Sequence, residues 1–408
     1  MKKYSILIKS AHWTCLPNLI FCSMLYQYFL KNGHRITKEP TKADFIIIST
    51  CGVLTQIEDK TIDLYNNYKN LKRKDAQIIM FGCLLKTNKE KIKNLDFYHI
   101  EFEETYKLDL LFYSKIKFEK IKPICDEETK TKLLYNEKTH GFVKRYPFFL
   151  TKMFFPFSKK LKLKYKIIIK DLTHKDRIFV LISRGCISNC NYCVIKKAKG
   201  RLVSRTIKDI LNDIESIYDP KKTLFLVADD CGCYGFDLKT NLIDLLYKIN
   251  KKFPKTKIDL NYLNPTILQN DADKYVQLFK DISFRYVIVP LQSGSNKIIK
   301  KMNRKYDVKK VLAFADKIKK ISPDTILYAH FIINYPEENI IDFLKTLITL
   351  FHFDVPLPFI YTPMKGTNSF STIKIVSKIK GRLKWYVFMS ISNIVILFKT
   401  IKYQKLVE

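Results

Sequence analysis

A chain of 408 residues, 47% hydrophobic and with only 11 Gly and 14 Pro, has enough core for two or three domains, which excludes a disordered or fibrous protein. Lys and Arg number 73 against 39 Asp and Glu; the resulting net charge of +34 favours a polyanionic partner such as RNA, although a Lys- and Ile-rich proteome gives the same bias with no partner at all. Ten cysteines are too few for a disulfide scaffold and point to metal in a reducing compartment.

Ser10 to Leu30 carries no Lys, Arg, Asp or Glu and is long enough to raise a membrane span. His12, Pro17, Asn18 and Gln27 interrupt it, so it reads as a strand end, a turn and an amphipathic helix. Leu19-Ile20-Phe21-Cys22 is a poor lipoprotein signal, because Phe21 stands where a small residue is needed. No stable membrane span and a cytoplasmic location are expected.

Three apolar runs of strand character come first, Tyr4 to Ser10, Ala43 to Thr50 and Ala76 to Gly82, separated by helical patterns over Leu19 to Asn32 and Ile57 to Lys72. Alternating strand and helix predicts βαβ units and an open parallel sheet. Cys15 lies a few residues beyond the first strand, Cys51 directly after the second and Cys83 directly after the third. Ligands bind at the carboxyl edge of such a sheet, so three thiols distant in sequence would meet there, enough for a cluster with one open iron. The alternative is that they are ordinary core cysteines, as Cys22 on the first helix reads.

The strings Cys15-Leu16-Pro17-Asn18, Ser49-Thr50-Cys51 and Gly82-Cys83-Leu84 resemble the three cysteine motifs of the methylthiotransferase N-terminal domain, with Ser49 where that family more often has Asn. This domain is expected over 1–124. A basic and aromatic linker comes next over 125–175, including Tyr146-Pro147-Phe148-Phe149 and Phe154-Phe155-Pro156-Phe157; it suits either RNA stacking or packing between domains. Cys125 stays unassigned.

An apolar run, Ile178 to Ile182, leads into Ser183-Arg184-Gly185-Cys186-Ile187-Ser188-Asn189-Cys190-Asn191-Tyr192-Cys193. Three thiols at this spacing can converge on one iron–sulfur cube, and because a cube normally takes four cysteines, one iron is left open. A zinc site would call for a fourth nearby Cys or His and more often uses paired Cys-x2-Cys units. The spacing, with Tyr192 just before the last Cys, resembles the radical S-adenosylmethionine (SAM) enzymes, in which SAM closes the fourth position and is split to a 5′-deoxyadenosyl radical.

The resemblance to the methylthiotransferases continues well beyond Cys193. Lys199-Gly200 and Ser204-Arg205 resemble a family Arg-Gly and Ser-Arg; Lys199 replaces the Arg, and Lys196 a usual Pro. The strand Thr223 to Val227 runs into Asp229-Asp230-Cys231-Gly232-Cys233-Tyr234-Gly235. This resembles the Glu-Asp-Thr-Gly-Ala-Tyr-Gly motif of the branch acting on tRNA that carries N6-threonylcarbamoyladenosine. The resemblance places Asp229 and Asp230 around SAM and the second cluster, where a carboxylate can accept hydrogen bonds from the SAM ammonium. Cys231 and Cys233 are additions to the motif, either small buried residues or cluster contacts. Asn264 resembles a position near the SAM ribose. Gln292-Ser293-Gly294-Ser295 with Lys301-Met302-Asn303-Arg304 is the most specific string after the cysteines, Gly294 being expected to let backbone approach a ligand.

The final strand is expected over Ile326 to Ile333. It ends in Asn334-Tyr335-Pro336-Glu337-Glu338, where the family has Gly at the positions of Asn334 and Glu337; Asn tolerates left-handed geometry and Glu does so poorly. The radical domain, a partial (β/α)6 barrel, is expected over 176–367, and a short helical tail over 368–408 stands where the family usually carries a tRNA-gripping TRAM domain. The fold class is therefore α/β in both domains.

The resemblance implies two 4Fe-4S clusters, held by Cys186, Cys190 and Cys193 and by Cys15, Cys51 and Cys83, with SAM bound near Tyr192, Asp229, Asp230, Asn264, Gln292 and Ser293. It further implies a flavodoxin- or ferredoxin-type reductant and methylthiolation of adenosine 37 in tRNA. The alternatives are the same chemistry on a protein or peptide side chain, or a non-catalytic cluster-bearing RNA-binding protein.

Overall fold

The computed structural model describes residues 2–12, 15–53, 55–126, 128–129, 133, 176–371 and 377–404. Almost all of the expected basic and aromatic linker, with its two aromatic clusters, lies outside the described residues. The first sheet contains β1 (Ser5–Ser10), β2 (Arg35–Ile36), β3 (Phe45–Thr50), β4 (Gln77–Gly82) and β5 (Tyr98–Ile100), all parallel in the order β2-β1-β3-β4-β5. The three strands expected from sequence are its central three, and the short β2 and β5 flank them. Central β3, Phe-Ile-Ile-Ile-Ser-Thr, is buried on both faces, which is why its apolar run does not alternate.

The second sheet contains β6 (Ile124–Asp126) and β7 (Arg177–Leu181), then, after a two-stranded hairpin of β8 (Ser183–Arg184) and β9 (Val203–Ser204), β10 (Thr223–Val227), β11 (Ile258–Leu260), β12 (Phe284–Gln292), β13 (Ile326–Ile333) and β14 (Val355–Ile360). Its order is β14-β13-β12-β11-β10-β7-β6; the six strands from β7 to β14 are parallel and β6 joins antiparallel at one edge. Cys125 is thus a buried residue of that edge strand, and the second sheet begins at Ile124.

Ile326–Ile333 is not the last strand. β14 comes after it, carrying Pro356 and Pro358. Proline cannot donate to a ladder and belongs on an edge, which is where β14 lies. The helix Lys378–Gln404 covers that edge strand: Ser392 Oγ donates to Pro356 O at 2.6 Å, and Ile396 packs with Val355 and Leu357. A buried ion pair, Lys384 with Glu338 at 2.5 Å, ties the same helix to the turn after β13. In that turn both Asn334 (φ +59) and Glu337 (φ +66) adopt the left-handed conformation that glycine would take without strain.

The uncharged N-terminal stretch has a different explanation from the amphipathic helix expected of it. The helix Leu16–Lys31 buries Pro17 to Leu25 without interruption because it lies between the two sheets. On one side it contacts β1; on the other it contacts β6 and β7, and Ser23 Oγ donates to Ile124 O at 3.3 Å. Charge anywhere on its middle turns would be desolvated. Strand alternation in the second sheet assigns the faces: Ile178, Val180, Leu224 and Leu226 point toward the surrounding helices, while Phe179, Leu181, Phe225 and Val227 share a core with Phe21, Cys22 and Leu25. The N-terminal domain therefore fills the inner face of the second sheet.

At the amino-terminal end of these strands Asp259, fully buried, pairs with Arg177 at 2.9 Å and Arg285 at 2.5 Å, and the Arg177 guanidinium lies over the Phe225 ring. Removing one partner of a buried pair leaves uncompensated charge, so Asp259→Ala is expected to cost about 3–5 kcal/mol in urea unfolding.

Candidate active site

The order β1-β3-β4 places Cys15, Cys51 and Cys83 at neighbouring strand ends. Cys15 precedes the helix Leu16–Lys31, Cys51 follows β3, and Cys83 opens the helix Leu84–Thr87. The loops are locked together by Asn18 Nδ2 donating to Thr50 O at 3.1 Å and by Leu84 N donating to Thr50 Oγ1 at 3.2 Å. Gly82 (φ +116) has no room for a side chain, since a Cβ would lie 2.9 Å from Thr50 O. Burial pushes the Cys15 thiol up, Cys83 up to about 12 and Cys51 well above its ordinary value, and the charge on Cys15 acts on both of the others. The Lys199 ammonium pulls all three thiols the other way. Sequence reasoning missed His12, whose Nδ1 lies 3.1 Å from Cys51 Sγ. Burial, helped by Lys60 and Lys199, lowers this imidazole to about 4 and keeps it neutral.

The second trio sits on the loop after β8. Gly185 (φ +80) starts it, with a Cβ excluded 2.2 Å from Arg201 O, and its N–H donates to Asp229 Oδ2 at 2.9 Å. The middle of the loop is braced from outside. Asn191 N donates to Met302 O at 3.0 Å, Asn303 Nδ2 to Asn189 O at 2.8 Å, and Ser369 N to Asn191 O at 2.9 Å. The string Lys301 to Arg304 is thereby a scaffold for the cysteine loop. Burial raises Cys190 and pushes Cys193 up to about 12. Cys186 is lowered instead, chiefly by a hydrogen bond from Cys233. The half-buried Tyr192 ring meets Tyr335 edge-on at 6.4 Å.

The two trios share one buried ion pair. Lys199 Nζ donates to Asp229 Oδ1 at 2.9 Å, lies 5.6 Å from the centre of the Phe102 ring, and is 1% exposed. Burial opposes its charge, but Asp229 and the neighbouring thiols Cys15 and Cys83 outweigh that and raise it. Lys197 Nζ adds a bond to Thr87 O at 3.2 Å, and Thr55 Oγ1 reaches Met364 Sδ at 3.8 Å, so the cysteine edge of the first domain faces the cysteine loop of the second.

Among the residues expected at SAM, Asp229 has both oxygens engaged by Lys199 and Gly185. Asp230 accepts from Asn264 Nδ2 at 2.7 Å, Gly232 N at 3.0 Å and Cys233 Sγ at 3.2 Å. Asn264 also caps the helix Pro265–Asn270 and reaches Ser188 Oγ at 3.3 Å. Gln292 ends β12 at φ +67. Ser293 is fully buried against Thr346, its Oγ taking the N–H of Ser295 at 3.2 Å. Gly294 serves a close approach, but to protein: a Cβ would lie 2.4 Å from Lys345 O of the helix Ile340–Thr349. Cys231 is a core residue whose thiol donates to Leu226 O at 3.7 Å, whereas Cys233 lies against the cysteine loop.

The donor chemistry of each trio suits a thiophilic metal group, while the three ligand atoms that lie within 4.8 Å of one another among the described residues are those of Cys186, Cys233 and Asp230. Neutral buried thiols become good ligands when coordination removes their protons, and in the first trio a fixed ammonium offsets the charge that results.

The radical SAM superfamily matches residues 180–350, and the group described as uncharacterized protein family UPF0004 matches residues 8–100. The fold and these matches make the chain a radical SAM enzyme built on two domains. Three proteins of similar sequence span both. The ribosomal protein uS12 methylthiotransferase RimO of Thermotoga sp. (strain RQ2) is 28% identical over 88% of this chain and 76% of its own length. The tRNA-2-methylthio-N(6)-dimethylallyladenosine synthase of Buchnera aphidicola subsp. Cinara cedri is 28% identical over 83% and 74%. A protein of Methanocaldococcus jannaschii named "Probable threonylcarbamoyladenosine tRNA methylthiotransferase" is 26% identical over 90% and 78%. The chain belongs to the radical SAM methylthiotransferase family, whose members use two 4Fe-4S clusters and SAM. The solved radical SAM methyltransferase TsrM of Kitasatospora setae shares the fold, with a TM-score of 0.59 at 9% identity over 91% of this chain and 75% of that one. Among the described residues, no helix is long and apolar enough to cross a membrane.

Lys199→Met would leave the Asp229 carboxylate buried with the Gly185 N–H but no cation, and would remove the positive charge beside Cys15, Cys51 and Cys83. Expected are a loss of about 3–5 kcal/mol in chemical denaturation and a lower iron content, with Lys199→Arg restoring much of both.

Proposed function

We propose that the protein adds a methylthio group to C2 of N6-threonylcarbamoyladenosine 37 in tRNA. The observation that carries this reading is the pocket into which Cys186 opens, lined also by Lys196, Arg201, Phe236 and Asp237, whose carboxylate is turned to the Ser204 N–H at 2.7 Å. The two cations suit phosphate, and Phe236, 46% exposed, suits stacking on an unpaired base. The string Asp229 to Gly235 and the Methanocaldococcus relative support the threonylcarbamoyl branch.

Cys186, Cys190 and Cys193 would hold the cluster that binds SAM, and Cys15, Cys51 and Cys83 the cluster that carries the sulfur. When bound, these groups supply the electron, the radical chemistry needed at an unactivated C–H bond, and the methylthio sulfur. The chain's own part is placement. Asp230, oriented by Asn264 and Gly232, offers a carboxylate to the SAM ammonium, and Asn264 and Gln292 line the same strand ends. Tyr192, packed on Tyr335, shields the loop from water. Asp229 acts through Lys199 and Gly185, holding the two trios in one frame, and Ser293 acts by seating the helix Ile340–Thr349. On this reading a flavodoxin- or ferredoxin-type protein delivers electrons, and a tRNA substrate together with thiols that form no disulfide favours a cytoplasmic location. The domain division is then a first domain over 1–124, a linker over 125–175, the radical domain over 176–367 and a helical tail over 368–408, with the one change that β6, at the junction of the first two, belongs to the sheet of the radical domain.

The uS12 methylthiotransferases among the relatives favour a second reading, the same chemistry on a protein side chain. Mass spectrometry of tRNA nucleosides from a deletion strain separates the two: the 2-methylthio derivative is expected to disappear, and an unchanged pool removes the tRNA reading. Binding of tRNA is expected to weaken steeply between 50 and 200 mM salt, by about a thousandfold for roughly six phosphate contacts. Cys51→Ala and Cys186→Ala are each expected to lose about half of the anaerobically bound iron, since each removes one of two three-cysteine sites.

A further inference from the structure

Cys233 stands where the resembled motif has Ala, and the fold sets its thiol beside a cysteine of the radical loop. The Sγ atoms of Cys186 and Cys233 and a carboxylate oxygen of Asp230 lie within 4.8 Å of one another. Both thiols converge on Asp230 Oδ2, Cys233 at 3.2 Å and Cys186 at 3.7 Å, which holds the two sulfurs side by side. Cys186 acts on Cys190 and Cys193 through charge alone. The pair is also asymmetric: Cys186 is partly exposed at the mouth of a pocket, while Cys233 is fully buried behind it.

We infer that Cys186 and Cys233 form a reversible disulfide when oxidant strips the loop of its iron, and that this bond shelters Cys186 from irreversible oxidation. With hydrogen peroxide the balance closes. Cys186 sulfur attacks one peroxide oxygen, the O–O bond breaks, and a sulfenic acid and one water result. Cys233 sulfur then attacks the sulfenic sulfur, the S–O bond breaks, and a second water leaves. Two thiols give up two protons and two electrons, and one peroxide is reduced to two waters. A dithiol reductant reverses the bond by exchange and returns Cys186 to service as a ligand. Without Cys233 the sulfenic acid can proceed to sulfinic acid, which dithiols do not reduce. The disulfide stands on the geometry alone; its sheltering effect rests on the reading of Cys186 as a cluster ligand.

The test uses the full chain, loaded with iron and sulfide anaerobically and then titrated with hydrogen peroxide until its iron is released. Remaining thiols are alkylated and the digest mapped by mass spectrometry. Peptides carrying Cys186 and Cys233 are expected joined, in about tenfold excess over Cys186 joined to Cys190 or Cys193, because Asp230 already holds the Cys233 and Cys186 sulfurs side by side. After dithiothreitol and fresh iron and sulfide, the parent is expected to recover its iron. Cys233→Ala, which restores the residue of the resembled motif and whose folding is checked by circular dichroism, is expected to recover no more than about half as much and to carry sulfinic acid at Cys186. Cys186 paired with Cys190 or Cys193, or alkylated with Cys233 free, overturns the disulfide. Equal recovery by Cys233→Ala overturns the sheltering. If Cys186→Ala binds as much iron as the parent, the cluster reading has failed, and the mapped disulfide is still judged on its own result.

Discussion

Two domains, each with a trio of cysteines, can work on one substrate only if something fixes their separation, and here that is the buried pair of Lys199 and Asp229. Lys199 comes from the short helix after the radical loop and Asp229 from the end of β10, so the pair is built entirely within the second domain. The ammonium nevertheless reaches the thiols of the first. A buried ion pair is a poor source of net stability, because desolvation consumes most of the attraction. Its value lies in direction: Asp229 keeps Lys199 charged in a place where an unpaired ammonium would be lost, and Lys199 then offsets the negative charge that any metal-bound trio at Cys15, Cys51 and Cys83 acquires. The second oxygen of Asp229 takes the Gly185 N–H, so the same carboxylate sets the start of the radical loop.

Around this pair the packing leaves little freedom. The helix Leu16–Lys31 fills the space between the sheets and carries Cys15 at its head. Loop residues Asn189 and Asn191 are held by the segment Lys301 to Asn303, and Gly294 lets the helix Ile340–Thr349 lie directly on the turn after β12. The helix Lys378–Gln404 closes the far edge through Ser392, Ile396 and the Lys384–Glu338 pair. The cysteine trios are thus assembled from loops, but each loop is pinned to a packed element, as any site that must hold reacting groups within fractions of an ångström requires.

The strained positions lie close to the same edge. Gln292, Asn334 and Glu337 all adopt positive φ at or just beyond strand ends, a conformation that costs a side chain-bearing residue about 1–2 kcal/mol. Glu337 keeps its turn with a surface pair to Lys301 at 2.6 Å. The backbone path a family glycine would take is preserved here by context rather than by residue type.

Composition, periodicity and the spacing of the thiols were enough to determine the α/β class, the central strands, the placement of three cysteines at neighbouring strand ends and the three-cysteine loop, because each is encoded by residues close together in the chain. Only the tertiary structure decided what those residues touch. That Leu16–Lys31 is buried on nearly all sides, that Val355–Ile360 is a sixth parallel strand despite two prolines, that Gly294 meets a helix rather than a ligand, and that Cys233 but not Cys231 reaches the radical loop all depend on how separate elements dock. Lys199, Asp229 and His12 acquire their partners in the same way. A contact between residues thirty or more positions apart is settled by the competition among all surfaces for burial, and no local pattern records its outcome.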